Sequence, residues 1–256
     1  MNYHFTDFPL FVLVLSFLLL WLAGRIGTWF RKRSQKADEA ASADAGLILG
    51  ATLTLLGLII GFTFSMSISR YEERKTLEAH EANAIGTEYV RGDVLPASDA
   101  QRMRALLTQY TQQRILFYEA SREQQLRQVN ADTAQLEKEL WSSVVGPANS
   151  QTTPLTALAV SGMNDVLNSQ GYTQAAWWNR IPSSAWVLMV MIALSCNLLI
   201  GYSTHRTRAE STMFLVLSLI VAVSFFLIAD IDSPRGGIIR VQPENLLTLS
   251  QSFHSQ

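Results

Sequence analysis

The side chains that could carry chemistry are four histidines, His4, His80, His205 and His254, one cysteine, Cys196, and a run of acids, Glu72, Glu73, Glu78 and Glu81. Metal binding asks for His, Cys or carboxylate ligands one helical turn apart or paired across a tight turn, and the histidines share no such spacing. A single cysteine can form no disulfide within its chain. No serine sits in a Gly-x-Ser-x-Gly elbow that would make it a nucleophile. The acids could gather round a cation, but Arg70, Arg74, Lys75 and His80 are interleaved with them, which reads as ion pairs on a helix surface. These residues predict neither an enzyme nor a bound metal or cofactor.

A second kind of chemistry, the passage of ions, rests on small residues. Gly46, Gly50, Thr54, Gly57, Gly61 and Ser65 follow one another at steps of four, four, three, four and four, which puts all six on one helix face. Such a stripe lets helices approach closely, as Gly-x-x-x-Gly pairs do in membranes. It could equally form a pore wall, with Leu55, Ile59 and Phe62 on a neighbouring face as a hydrophobic constriction and Ser65 as a polar lining group. Spacing alone leaves both readings open.

The elements that must position these residues are membrane helices. Four windows, 8–24, 45–69, 183–202 and 212–229, hold no Asp, Glu, Lys, Arg or His, although 16% of the whole chain is charged. Roughly 20 apolar residues cross a bilayer core, so each window is long enough, or nearly so, to span. The 48% hydrophobic content and net charge of -1 conceal this division. With 20 Lys and Arg against 21 Asp and Glu, the chain has no basic excess to neutralise phosphates, which excludes a nucleic-acid partner. The first window is read as a retained span, because residues 1–7 lack Lys and Arg and a charged stretch separates the window from the small-x-small site Ala41-Ser42-Ala43. Asp7 reads as its N-cap, with Pro9 in the first turn.

The fold expected is all-α: a polytopic membrane protein with four transmembrane helices and a helical extramembrane domain between the second and third. Residues 1–69 form the leader and first two spans, 70–182 the domain, 183–229 the last two spans and 230–256 a polar tail. The second helix should run on past the bilayer, burying Tyr71, Ala79, Ala82, Ile85 and Tyr89 while Glu73, Glu81 and Glu88 fall on other faces. Ser98-Asp99-Ala100-Gln101 reads as a capping box before a helix that buries Met103, Leu106, Leu107, Tyr110 and Phe117. Leu136, Leu140 and Val144 line a shorter helix. Thr153-Pro154 opens another, with Leu155, Leu158 and Leu167 inward and Gly171 as its stop. Trp177, Trp178 and Arg180 suit the headgroup layer.

Short loops carry the topological signal. Arg25, Arg31, Lys32, Arg33 and Lys36 follow the first span, and Arg206 and Arg208 lie between the last two, on the same face of a four-span protein. Loop charge therefore places these loops in the cytoplasm of a cell whose inner membrane the chain crosses, and the helical domain in the periplasm.

Gly61-Phe62-Thr63-Phe64-Ser65, Ser69-Arg70-Tyr71-Glu72-Glu73-Arg74, Val94-Leu95-Pro96 and the helix of Arg102, Arg104, Leu107 and Tyr110 resemble the bestrophin-like family of bacterial membrane proteins, which is distantly similar to the bestrophin ion channels. Asp230-Ile231-Asp232-Ser233-Pro234-Arg235-Gly236 is similar to the channels' Asp-Pro-Phe-Gly segment, with Arg235 in place of the phenylalanine and no acidic run after it, so calcium gating is not implied. The resemblance implies a homo-oligomer, a pentamer in bestrophins, with second helices lining a central pore for inorganic ions within a lipid bilayer. It also implies a cytoplasmic domain, opposite to the loop charges. Within it, Arg70 marks the junction of pore helix and domain, and a bidentate pair with Asp230 or Asp232 is expected there. The rival function is a non-conducting scaffold or sensor that binds a partner protein through the helical domain.

Overall fold

The computed structural model describes residues 5–33, 39–150, 152–203 and 208–254. Eight α-helices follow one another: α1 Pro9–Arg33, α2 Glu39–Arg91, α3 Ala97–Glu119, α4 Glu123–Ser150, α5 Pro154–Trp178, α6 Ser183–Ser203, α7 Arg208–Asp232 and α8 Glu244–His254. No strand occurs among the described residues, and four helical stretches are long and apolar enough to cross a membrane. The all-α, four-span expectation holds. Lys36, His4, His205 and Arg206 lie outside the described residues.

The chain divides into two compact units. One comprises the described residues within 2–69 and 180–239, the other those within 70–179 and 240–256. The membrane unit gathers α1, the first part of α2, α6 and α7 around Val12, Leu20, Leu56, Trp186, Met189, Ala193, Cys196, Phe225 and Ile228. Its tightest contact joins α1 to α6. A Cβ on Gly27 would collide with the backbone of Leu198, and one on Gly201 with the backbone of Gly24. Arg31 then donates to the carbonyls of Tyr202 and Ser203 at 3.0 and 2.7 Å, satisfying groups that α6 leaves open at its C-terminus. The glycines that bring α1 and α6 this close are Gly24, Gly27 and Gly201.

The extramembrane unit is a bundle of α3, α4, α5, α8 and residues 70–91 of α2 around Ile85, Met103, Leu107, Tyr110, Phe117, Leu140, Val144, Met163 and Leu246. The face expected for α3 is the buried one. Other local expectations fail for identifiable reasons. Helix α3 starts at Ala97, with Pro96 at its N-cap and no side-chain cap bond, so Ser98 lies inside the helix rather than capping it. Helix α4 has 28 residues and is not short; it continues through Pro147. Thr153 does cap α5, in a box closed by Thr156. That helix then passes Gly171 and ends at Trp178, and it buries Thr156, Ala159, Met163, Val166 and Thr173 while Leu155 and Leu158 are exposed. Trp177 is buried in the domain core against Phe117 and Tyr118, whereas Trp178 is exposed. Asp7 belongs to a 3₁₀ turn, Phe5–Asp7, and pairs with Arg180 at 2.6 Å.

Candidate functional site

Residues 46–69 of α2 turn one face into the membrane-unit core and leave the others uncovered. Leu56 is buried there, and Leu53, Ile59, Ile60 and Phe64 pack against the same cluster. The buried hydroxyls on this face are satisfied within the helix: Thr63 donates to the Ile59 carbonyl at 2.7 Å and Ser67 to the Phe64 carbonyl at 2.8 Å. Only 11% of the apolar window of α2 is buried, against 33% to 44% in the other three spans. A Cβ on Gly46, Gly50, Gly57 or Gly61 would meet nothing within 4 Å. Thr54, Leu55, Phe62 and Ser65 are likewise exposed. The structure thus separates the candidate residues: Leu55, Phe62 and Ser65 are uncovered, and Ile59 is partly buried against the core.

Beyond Ser69 the same helix carries buried ionisable residues, which corrects the surface-pair reading. Arg74, Glu78, Glu81 and Glu88 are each 1% exposed or less. Helical spacing put Glu81 and Glu88 on faces other than that of Tyr71, Ala79, Ala82, Ile85 and Tyr89. Here α2 faces neighbours on more than one side. Arg74 donates to the carbonyls of Ala176 and Asn179 at 3.4 and 3.5 Å, closing the C-terminus of α5. Glu78 accepts from the Asn245 amide at 2.6 Å and the Leu246 backbone N–H at 2.9 Å, at the start of α8.

Glu81 forms a buried ion pair with Arg114 of α3 and also accepts from the hydroxyls of Tyr118 at 3.3 Å and Thr173 at 3.4 Å. Arg114 lies over the Phe117 ring, 4.4 Å from its centroid. Burial is the largest influence and works against the Arg114 charge, but Glu81, Tyr110 and Tyr118 together outweigh it, so the guanidinium pKa is raised. The Glu137 carboxyl is also raised, by burial opposed by Arg114. Glu72, Glu73, Lys75 and His80 are the members of the run that remain exposed. Among the described residues no three His, Cys, Asp or Glu side chains form a metal-binding group.

The expected junction acids are buried in the membrane unit. Asp230 accepts from the backbone N–H groups of Ile238 and Ile239 at 2.7 and 2.9 Å, which folds the segment after α7 back on itself. Asp232 accepts from the Ile181 N–H at 3.1 Å, just before α6. Arg70 is half-buried at the first position of the extramembrane unit. The signal that sequence reasoning passed over was the heptad step Arg74, Glu81, Glu88. A period of seven keeps residues on one side of a helix whether they are apolar or charged.

Residues 10–246 match the bestrophin-like domain family. No curated protein matches the chain. Among solved structures, a bacterial bestrophin homologue from Klebsiella pneumoniae is 14% identical, with a TM-score of 0.64 over 96% of this chain and 97% of that one. Two single-substitution variants of that homologue align with TM-scores of 0.63 and 0.65, each at 14% identity over 95% of this chain and 98% and 96% of theirs. At such identity the likeness speaks for the fold, and the family match speaks for descent: this chain, with its four spans and interposed helical bundle, belongs to the bestrophin-like family.

Proposed function

We propose that this protein is an ion channel formed by several copies of the chain, with α2 lining the pore. The observation that carries the reading is the uncovered side of α2 in the membrane, where four glycines, Thr54 and Ser65 alternate with Leu55 and Phe62. A helix meant only for lipid gains nothing from glycine, which weakens it by about 0.5–1 kcal/mol relative to alanine. On a pore wall the same glycines and hydroxyls leave room for water, and Leu55 and Phe62 form the narrow apolar rings. Ile59, partly withdrawn into the core, supports them from behind. Family resemblance makes a pentamer the assembly to test first.

The channel is placed in the inner membrane, because helical spans rather than a barrel cross it. The charges of the first connector support a periplasmic extramembrane unit. Ion flux from liposomes holding the purified protein, together with water-accessibility scanning of cysteines at positions 50–65 in a Cys196→Ser background, tests the reading. Flux that changes on Phe62→Ala, with labelling along the Leu55, Phe62 and Ser65 side, is expected. No flux and no water-accessible position would overturn it in favour of a non-conducting scaffold.

A further inference from the structure

Three ionisable residues of α2 face α5 at seven-residue steps, and the third differs from the first two. Arg74 is met by carbonyls at the end of α5, and Glu81 by an arginine and two hydroxyls. Glu88 is fully buried, and neither of its carboxyl oxygens has a hydrogen-bond partner among the described residues. Arg91 Nη1 stands 3.6 Å away, too far for a good hydrogen bond. The carboxyl lies over Gly162 of α5, in space that any Cβ at that position would fill.

We propose that Glu88 is a proton-binding site whose occupancy controls the packing of α2 against α5 in the extramembrane unit. An ionised carboxylate without hydrogen bonds is strongly disfavoured where water is excluded. A protonated carboxyl fits the same place at far lower cost. Two charged groups act on Glu88: Arg91 on its own helix favours the carboxylate, and Asp165 on α5 opposes it. Burial outweighs Arg91 and pushes the carboxyl up to about 8.

A route for the proton exists. The Arg91 side chain is 25% exposed and lines an open groove between α2 and α8, together with Asn83, Thr87, Asn245 and Thr248. On losing its proton, Glu88 must gain water or swing toward Arg91 at the groove. Arg91 Nη1 lies over Gly162 beside the carboxyl, so either change rearranges the Glu88–Arg91 pair on Gly162 and loosens the α2–α5 contact. The proposal does not depend on whether the protein conducts ions.

The test uses the full-length protein in lipid nanodiscs at about pH 6 and about pH 9.5, on either side of the Glu88 titration. Infrared difference spectra should lose a protonated-carboxyl band at the higher pH, and Glu88→Gln should lack that band. Hydrogen-exchange protection of amides 155–170, corrected for intrinsic rates, should fall roughly tenfold across this interval in the wild type. It should stay high in Glu88→Gln. Gly162→Ala, whose methyl displaces both the carboxyl and Arg91 Nη1 toward the groove, should flatten the pH dependence while the protein still folds. An equal fall in the wild type and Glu88→Gln, or no fall in the wild type, overturns the proposal. If Glu88→Gln does not assemble, an unchanged pH profile in Gly162→Ala overturns it instead.

Discussion

The carboxylate of Glu78 accepts the backbone N–H of Leu246 at 2.9 Å, doing for α8 what an N-cap side chain ordinarily does from within the same helix. Helix α8 has only 11 residues, too few for stability on its own. Leu246 is fully buried in the domain core, and Phe253 stacks on Tyr89 with ring centroids 4.2 Å apart. Glu78 therefore fixes where this helix begins, and the apolar contacts hold the rest. Glu78→Ala should cost about 1–2 kcal/mol. Limited trypsin digestion should show faster cleavage at Arg240, and a digestion rate equal to the wild type would show that the apolar contacts alone hold α8.

Glu81 and Arg114 should be far more sensitive. Removing one partner of a buried pair strands the other charge, at a cost of about 3–5 kcal/mol. Arg114→Met should therefore lower the melting temperature much more than Glu78→Ala does. Adding Glu81→Leu to Arg114→Met should recover part of the loss, because the stranded carboxylate is gone. Thermal denaturation of the single and double variants in one detergent checks this, and simple additivity would mean the pair is not coupled.

The four spans were legible because charge is nearly intolerable in a bilayer core, so absence of charge alone located them. The face of α3 was legible for a related reason: its apolar residues recur at helical spacing, and they are the buried ones. Helix α5 misled because its buried face is built from Thr156, Ala159, Gly162, Ser169 and Thr173, while its largest leucines near the start are exposed. Glu81 and Glu88 misled more deeply. Their burial depends on Arg114 and Gly162, residues far away in sequence that local periodicity cannot bring into view. The α2 glycine stripe was visible as a pattern, but only the structure shows that none of the described residues covers its glycines.

That distinction can be tested by substitution. Gly27→Leu forces a side chain into the backbone of α6, and overpacking of this kind costs about 1–3 kcal/mol or more. A Cβ on Gly57 meets nothing within 4 Å among the described residues. Gly27→Leu should lower monomer stability and yield, whereas Gly57→Leu should leave both near wild type and alter oligomer size or ion flux. Light scattering and melting curves on both variants separate the two effects. A Gly57→Leu protein with unchanged assembly and unchanged flux would remove α2 from the subunit interface and the pore.

Stability should depend on pH with a sign opposite to that of a salt-bridged acid. Glu88 has its carboxyl raised from 4.5 to about 8, and Glu137 is shifted in the same direction. The folded state therefore binds more protons than the unfolded state between these limits. The Glu88 contribution is fully present below about pH 4.5, declines as pH rises, and is lost above about 8. Melting temperature followed from about pH 5 to about pH 9 should fall on this account, and Glu88→Gln should flatten the slope. A slope identical in wild type and Glu88→Gln would assign the fall to other groups.

The side of the membrane on which the domain lies follows from one structural choice. Ser121 is exposed between α3 and α4, and Cys196 is the chain's one native thiol. In a Cys196→Ser, Ser121→Cys protein, a membrane-impermeant maleimide should label intact spheroplasts if the domain faces the periplasm. The five basic residues between Arg25 and Lys36 then remain in the cytoplasm, where translocation holds such clusters. Protection of Ser121→Cys until lysis would reverse the orientation. It would mean that this basic connector crosses the membrane against its charge, and that the domain is cytoplasmic as the bestrophin resemblance implies.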